Sequence, residues 1–389
     1  MTRILSRRAF GGAITALALA GRAQAAGVTD TEILLGTHLD LSGPVAAGMP
    51  QIRNGMQMRI DEANEAGGVN GRKLRLIVED NGSQPQLAGR VTDKLINSDG
   101  VFAIINPFGS GPNAAVVKRA VDAKIVYFSP WGASAVLRRV SGNSPLLFTT
   151  TPDYDGTVGP ALSWAIGEFK STKVGFIYQE GPFGDLVRGG VNVAMKAKNM
   201  TLAAEAGYKA GDIDFSSQVA RMKAAGVDLI MLATITRETV GVMAEVKKLG
   251  WNEVKVMTAN PGRTMIVAQL GKANVEGLYG VSAWNIFDPG SETPAVKAWN
   301  ESYKKRFNLD ADENGMLSYA YTDWFVKALT AAGRTVTPES VVEALAKTTS
   351  DHPVFFGPKS FKNGHISPET AQVEQIKGGQ WVPVSKPLN

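Results

Sequence analysis

No cysteine occurs in the 389 residues, which excludes disulfides, thiolate metal sites and a lipid-anchored cysteine behind a leader. Histidine is nearly as scarce, with three copies: His38 ends an apolar run, and His352 and His365 sit beside prolines or loops near the C-terminus. There is no H-E-x-x-H, no G-x-S-x-G elbow and no Asp-rich calcium loop. An enzyme has little to be built from here, and neither a metal nor an organic cofactor is expected. Asp212 and Asp214 precede a helical stretch, where Asp214 reads as an N-terminal cap. Runs of five like charges are missing as well, which argues against a nucleic-acid partner. Beyond residue 25 no apolar run approaches the ~20 residues of a membrane-spanning helix.

The first 25 residues stand apart from this picture. Arg3, Arg7 and Arg8 form a basic head, residues 10–20 a short apolar core, and Ala23-Gln24-Ala25 a small-x-small cleavage site. This is a signal peptide, and Ser6-Arg7-Arg8-Ala9-Phe10 is similar to the twin-arginine export motif. Its arginines, with Arg22, account for most of the net charge of +5. The mature chain is near neutral and is expected in the periplasm, with length enough for two α/β domains.

Apolar runs of strand length alternate with helical stretches of ten to fifteen residues, the pattern of parallel βαβ units. Residues 101–105 and 125–128 are two such runs, and each ends in a loop of small residues. Gly109-Ser110-Gly111 follows the first and Trp131-Gly132-Ala133-Ser134 the second. Ligands of open α/β sheets lie outside the carboxyl ends of strands. There the serines offer hydroxyls, the glycines let a ligand reach the backbone, and the next helix directs free N–H groups at an anion. Together the loops form a candidate shelf for a carboxylate. The same residues also suit plain βα turns. Residues 109–114 match the dinucleotide fingerprint G-x-G-x-x-G/A too, but the acidic residue required ~20 positions on is missing.

Three further segments are specific: Leu41-Ser42-Gly43-Pro44, residues 64–74 reading NEAGGVNGRKL, and Glu79-Asp80-Asn81. With residues 178–184 and 210–216, they make the chain resemble, over nearly its whole mature length, the branched-chain amino-acid binding proteins, type I periplasmic receptors of ABC importers. The resemblance implies two Rossmann-like lobes with parallel central sheets, joined by three crossovers and closing on a ligand. Residues 27–149 with 284–356 would form the N-terminal lobe, and 150–283 with 357–389 the C-terminal lobe. Long helices at 293–307 and 316–332 would return to the first lobe, and the strand-rich tail at 354–361, 371–376 and 380–384 would end on the second.

Carried over by position, the resemblance assigns carboxylate binding to Gly109, Ser110 and Gly111 and to Trp131, Gly132, Ala133 and Ser134. It assigns the opposite wall to Phe183, Thr236 and Asn260. Amino-acid-binding members tend to hold the ligand's ammonium with an acid at the last position, so Asn260 is a departure. Glu238 or Glu180 could approach instead, or the ligand could be an aromatic or aliphatic acid without an amine. The expected function is capture of an amino acid or related small carboxylate by a monomer and its delivery to an ABC-type permease. The alternative is a sensor presenting an organic acid to a membrane signalling receptor.

Overall fold

A computed structural model describes residues 25–132, 134–287, 292–361 and 370–388. The leader, Ala133 and His365 lie outside the described residues, as does the side chain of Ser134. In chain order the elements are β1 (Glu32–Leu39), α1 (Met49–Glu65), β2 (Lys73–Asp80), α2 (Pro85–Asp93), β3 (Ala103–Ile105), α3 (Ser110–Asp122), β4 (Val126–Phe128), α4 (Ser134–Val140) and β5 (Leu147–Phe148). A second series follows: α5 (Tyr154–Phe169), β6 (Val174–Gln179), α6 (Pro182–Ala197), β7 (Ala204–Tyr208), α7 (Ser216–Ala224), β8 (Leu229–Ala233), α8 (Thr236–Lys248), β9 (Lys255–Thr258), α9 (Met265–Gly271) and β10 (Tyr279–Ser282). Last come α10 (Pro294–Phe307), α11 (Glu313–Ala331), α12 (Pro338–Lys347), β11 (Thr349–Ser350), β12 (Lys359–Ser360), β13 (Gln372–Lys377) and β14 (Gln380–Pro383).

The first sheet is parallel throughout, in the order β2-β1-β3-β4-β5. The second runs β14-β13-β10-β9-β8-β6-β7. Its strands β10, β9, β8, β6 and β7 are parallel, and the C-terminal hairpin β13–β14 joins antiparallel on β10. The central strands are buried on both faces, as helix-covered parallel strands must be; every residue of β8 is buried. Trp324 and Phe325 of α11 lie in the core of the first sheet with Phe128 and Phe148, so the chain returns to the first lobe after β10.

The strand expected over 354–361 is instead an anchor with a short ribbon. Only Lys359–Ser360 pairs, with β11, because Val354, Phe355 and Phe361 turn their side chains into the first core. Phe361 stacks on Trp324 at 4.3 Å and meets Phe148 edge-on at 5.0 Å. Ala371 already belongs to the second lobe's core. The last crossing therefore falls between Phe361 and Ala371.

The motifs at 41–44 and 64–81 brace the first lobe. Asp40 accepts hydrogen bonds from the Gly43 and Val45 amides and from the Ser83 hydroxyl. A Cβ at Gly43 would sit 2.3 Å from the Asp40 carboxylate, so the tight turn requires glycine there. Asn64 pairs with both backbone groups of Leu74. Asn70 donates to the carbonyls of Leu329, Thr330 and Gly333 at the end of α11, tying sequence-distant parts of the lobe together.

Candidate functional site

The loops after β3 and β4 continue side by side beyond the strands. Trp131 N–H donates to Pro107 O at 2.8 Å, Gly109 N–H donates to Trp131 O at 3.2 Å, and Phe108 and Trp131 form a parallel bridge. Gly109 (φ +107°) opens α3, and Gly132 (φ +87°) turns the second loop so that a Cβ there would lie 2.5 Å from Ser110 Oγ. Gly109, Ser110, Gly111, Trp131 and Gly132 are thus one surface. It sits at the amino end of α3, whose first N–H groups have no acceptor within the helix.

The opposite lobe approaches this surface. A Cβ on Gly111 would meet Pro182 Cγ, at the start of α6, at 4.0 Å. Phe183 follows, half-buried and edge-on to Tyr154 at 5.8 Å. Trp131 is 9% exposed, tilted against Phe108 and edge-on to Tyr321 of α11, and its indole N–H has no partner among the described residues.

Thr236 and Asn260 stand at the carboxyl ends of β8 and β9. The Thr236 hydroxyl lies 3.5 Å from that of Thr264. Asn260 is buried, and its Oδ1 has no partner among the described residues. Glu238, in the first turn of α8, is buried as well; one of its oxygens lies 3.7 Å from Arg237 and the other is unpartnered. Burial raises its pKa above the usual carboxylate range. No described hydrogen bond joins the Thr236–Asn260 group to the Ser110–Gly132 surface; they belong to different lobes.

What the sequence reading missed lies beneath the two loops. Asn113 of α3 donates through Nδ2 to the carbonyls of Pro107 (3.0 Å) and Trp131 (3.1 Å), one from each loop. Its Oδ1 accepts the Tyr127 hydroxyl proton at 2.8 Å. That hydroxyl lies 3.1 Å from His38 Nε2, and His38 Nδ1 lies 2.9 Å from Asn81 Nδ2, which also donates to Phe108 O at 2.9 Å. The Ser83 amide donates to Asn81 Oδ1, so the orientation of that side chain is determined too. Since Tyr127 gives its one proton to Asn113, Nε2 must be the donor to Tyr127 and Nδ1 the acceptor from Asn81. His38 is therefore neutral, in a single tautomer. The only trace of this in the sequence is polar residues at or near the ends of apolar strands.

Burial lowers the His38 pKa from 6.5 to about 3. The unfolded chain binds the proton that the folded one refuses, so this contribution is whole above pH 6.5 and is lost as pH falls from 6.5 to 3. Relative to His38→Gln, which keeps one donor and one acceptor, the wild type should lose up to ~1.4 kcal/mol per pH unit in that window. Urea unfolding of both proteins at pH 7, 5.5 and 4.5 measures this, and parallel profiles would contradict it. His352, also lowered by burial, is common to both and cancels.

Comparison with known proteins adds a family. The model of the family described as periplasmic binding protein matches residues 32–380. A Leu/Ile/Val-binding protein homolog 8 of Brucella suis is 25% identical, over 96% of this chain and 94% of its own length. The leucine-, isoleucine-, valine-, threonine-, and alanine-binding protein of Pseudomonas aeruginosa is 26% identical, over 87% of this chain and 88% of its own. Among solved structures, a fatty acid ABC transporter substrate-binding protein from Thermomonospora curvata superposes with a TM-score of 0.83, at 25% identity, over 94% of both chains.

Proposed function

Because the chain belongs to the periplasmic binding protein family, and so is a solute-binding protein rather than an enzyme, we propose that it captures a small carboxylate between its lobes and hands it to an ABC-type permease. The observation that carries this reading is the bridged pair of loops at the start of α3, facing α6 across the cleft. That surface offers the Ser110 hydroxyl and first-turn amides, all of them donors, to an anion, and the buried Trp131 indole N–H beside it has no partner among the described residues. Ala133 and Ser134 complete the shelf in this reading, and Phe183 and Thr236 close over it.

The ligand's other end meets acceptors. Asn260 Oδ1 and a Glu238 oxygen are buried without protein partners, and such groups are costly unless something donates to them. Relatives named for leucine, isoleucine and valine, and a structural neighbour named for fatty acids, have the carboxylate in common and differ in the ammonium. The first lobe then supplies what all such ligands share, and the second lobe selects among them. The protein works as a monomer, exported to the periplasm by its leader, and closes by hinge motion with the permease recognising the closed form.

A thermal-shift screen of the unfolded, ligand-stripped and refolded protein tests this with L-leucine, L-isoleucine, benzoate and octanoate, and with leucinamide and benzamide as carboxylate-free controls. A ligand at 100 times its Kd adds about 2.7 kcal/mol. At least one carboxylate should raise the melting temperature and its amide should not. Equal shifts for an acid and its amide would overturn the shelf. Asn260→Ala should weaken an amino acid and leave benzoate unchanged.

A further inference from the structure

We propose that Asn113, Tyr127, His38 and Asn81 are the positioning residues of the carboxylate shelf, acting as one hydrogen-bonded chain that sets the register of its two loops; this rests on the shelf reading above. The chain draws on β1, the turn after β2, β4, both loops and α3, so it couples the carboxyl strand ends bordering the shelf. Each of its side chains is wholly buried and lies behind the loops.

The register depends on it for a geometric reason. Among the described residues, two backbone hydrogen bonds join the loops to each other beyond the strands, and the one at Gly109 is long, at 3.2 Å. Asn113 Nδ2 adds a fork that touches Pro107 O and Trp131 O at once. An amide has one orientation in which its nitrogen faces both carbonyls, and the Tyr127 hydroxyl proton on Oδ1 selects it. The Tyr127 proton is directed to Asn113 because His38 Nε2 is itself protonated and offers no lone pair to compete for it, and His38 donates there because Asn81 presents N–H to its Nδ1. Direction is thus passed along four side chains, and each member specifies the next. Asn81 closes the circuit by holding Phe108 O as well. Cooperative polarisation strengthens such a chain where the surroundings are dry.

The test compares His38→Phe and Tyr127→Phe, which break the chain without adding charge, with His38→Gln, which preserves one donor and one acceptor. Two readouts are taken. The first needs no ligand: amide hydrogen exchange at Gly109 and Trp131, with nitrogen NMR of His38 to identify its tautomer. The second is the affinity for whichever of L-leucine, L-isoleucine, benzoate and octanoate binds the wild type, alone and combined with Ser110→Ala. The expected result is a single Nε2–H tautomer, exchange at both amides at least tenfold faster in the two breaking variants, and near-wild-type behaviour in His38→Gln. Affinity should fall about tenfold in Tyr127→Phe, the scale of one hydrogen bond to a charged group. Adding Ser110→Ala should then cost much less than it does alone, because the hydroxyl is already misplaced. A purely structural role would lower melting temperature and leave the two affinity losses additive, and that result overturns the proposal, as does unchanged exchange in Tyr127→Phe. If no probe binds the wild type, the ligand reading fails, and the exchange and tautomer data still decide the positioning role.

Discussion

A Gly132→Ala variant should bind the cognate carboxylate about a hundredfold more weakly while unfolding near the wild-type temperature. Gly132 adopts φ +87°, a conformation in which a side chain is strained. The added methyl would also stand 2.5 Å from Ser110 Oγ. Two responses are open. The Ser110 hydroxyl rotates out of the shelf, or the loop moves and the Gly109–Trp131 hydrogen bond breaks. The first removes a hydrogen bond to a charged oxygen, worth ~1.5–3 kcal/mol; the second displaces the donors on both loops together. A loss of about 2.7 kcal/mol corresponds to the hundredfold change. Titration calorimetry with the best ligand of the screen reads it, and an affinity within threefold of wild type would mean that Gly132 does not border the ligand. Gly132 is only half-buried and belongs to a loop rather than to the core, so the strain costs the fold far less than it costs the proposed site.

The largest effect on stability is expected from Glu374→Gln. Arg263 is completely buried in the second lobe, and its Nε donates to Glu374 of β13 at 2.6 Å while a second guanidinium nitrogen bonds the same carboxylate. Gly280 makes the space, since a Cβ there would lie 2.6 Å from Arg263 Cγ. Glutamine in place of Glu374 leaves a buried cation uncompensated, which costs ~3–5 kcal/mol. Glu313 is a poor substitute, because burial and the neighbouring Asp312 raise its pKa and disfavour its charged form against the opposing pull of Arg263. For a chain of this length the melting temperature should fall by roughly 5 °C. Arg263→Met combined with Glu374→Leu should be less damaging than the single change, as a buried pair replaced by apolar side chains usually is. A double variant worse than Glu374→Gln would show that shape rather than charge dominates this position.

Much of the fold could be read in the chain because βα units are local. The alternation of apolar runs and helical stretches placed β2 at 73–80, whereas the return of the long helices near 293 and 316 to the first lobe was implied by the family resemblance. The most specific motifs proved to be braces: Asn64 and Asn70 tie turns and helix ends, and Asp40 holds the 41–45 loop. They identify a family by its scaffold and carry little about the ligand. The two adjacent loops were legible because each bears glycine and each follows one of two consecutive strands; their role as a shelf is a proposal. The chain behind it was hidden because His38 meets Tyr127 across 89 positions, and no periodicity reports a contact at that separation. The expected strand at 354–361 failed for a related reason. Its apolar residues answer to Trp324 and Phe128, which are distant in sequence.

The C-terminal hairpin gives the molecule an order of assembly. Everything the first core needs has been synthesised once Phe361 emerges, including α11 and the aromatic anchor. At that moment the second sheet has its five parallel strands but lacks β13 and β14, and Arg263 has a buried position with no carboxylate to meet. The second lobe's sheet is thus completed after the first core, when β13 and β14 pair onto β10. Without β13 and β14 the edge of β10 would be open and Arg263 would lack Glu374, and an open strand edge is a template for wrong pairing. The ion pair between Arg263 and Glu374 therefore ties the strand that joins the sheet last to the parallel strands laid down before it.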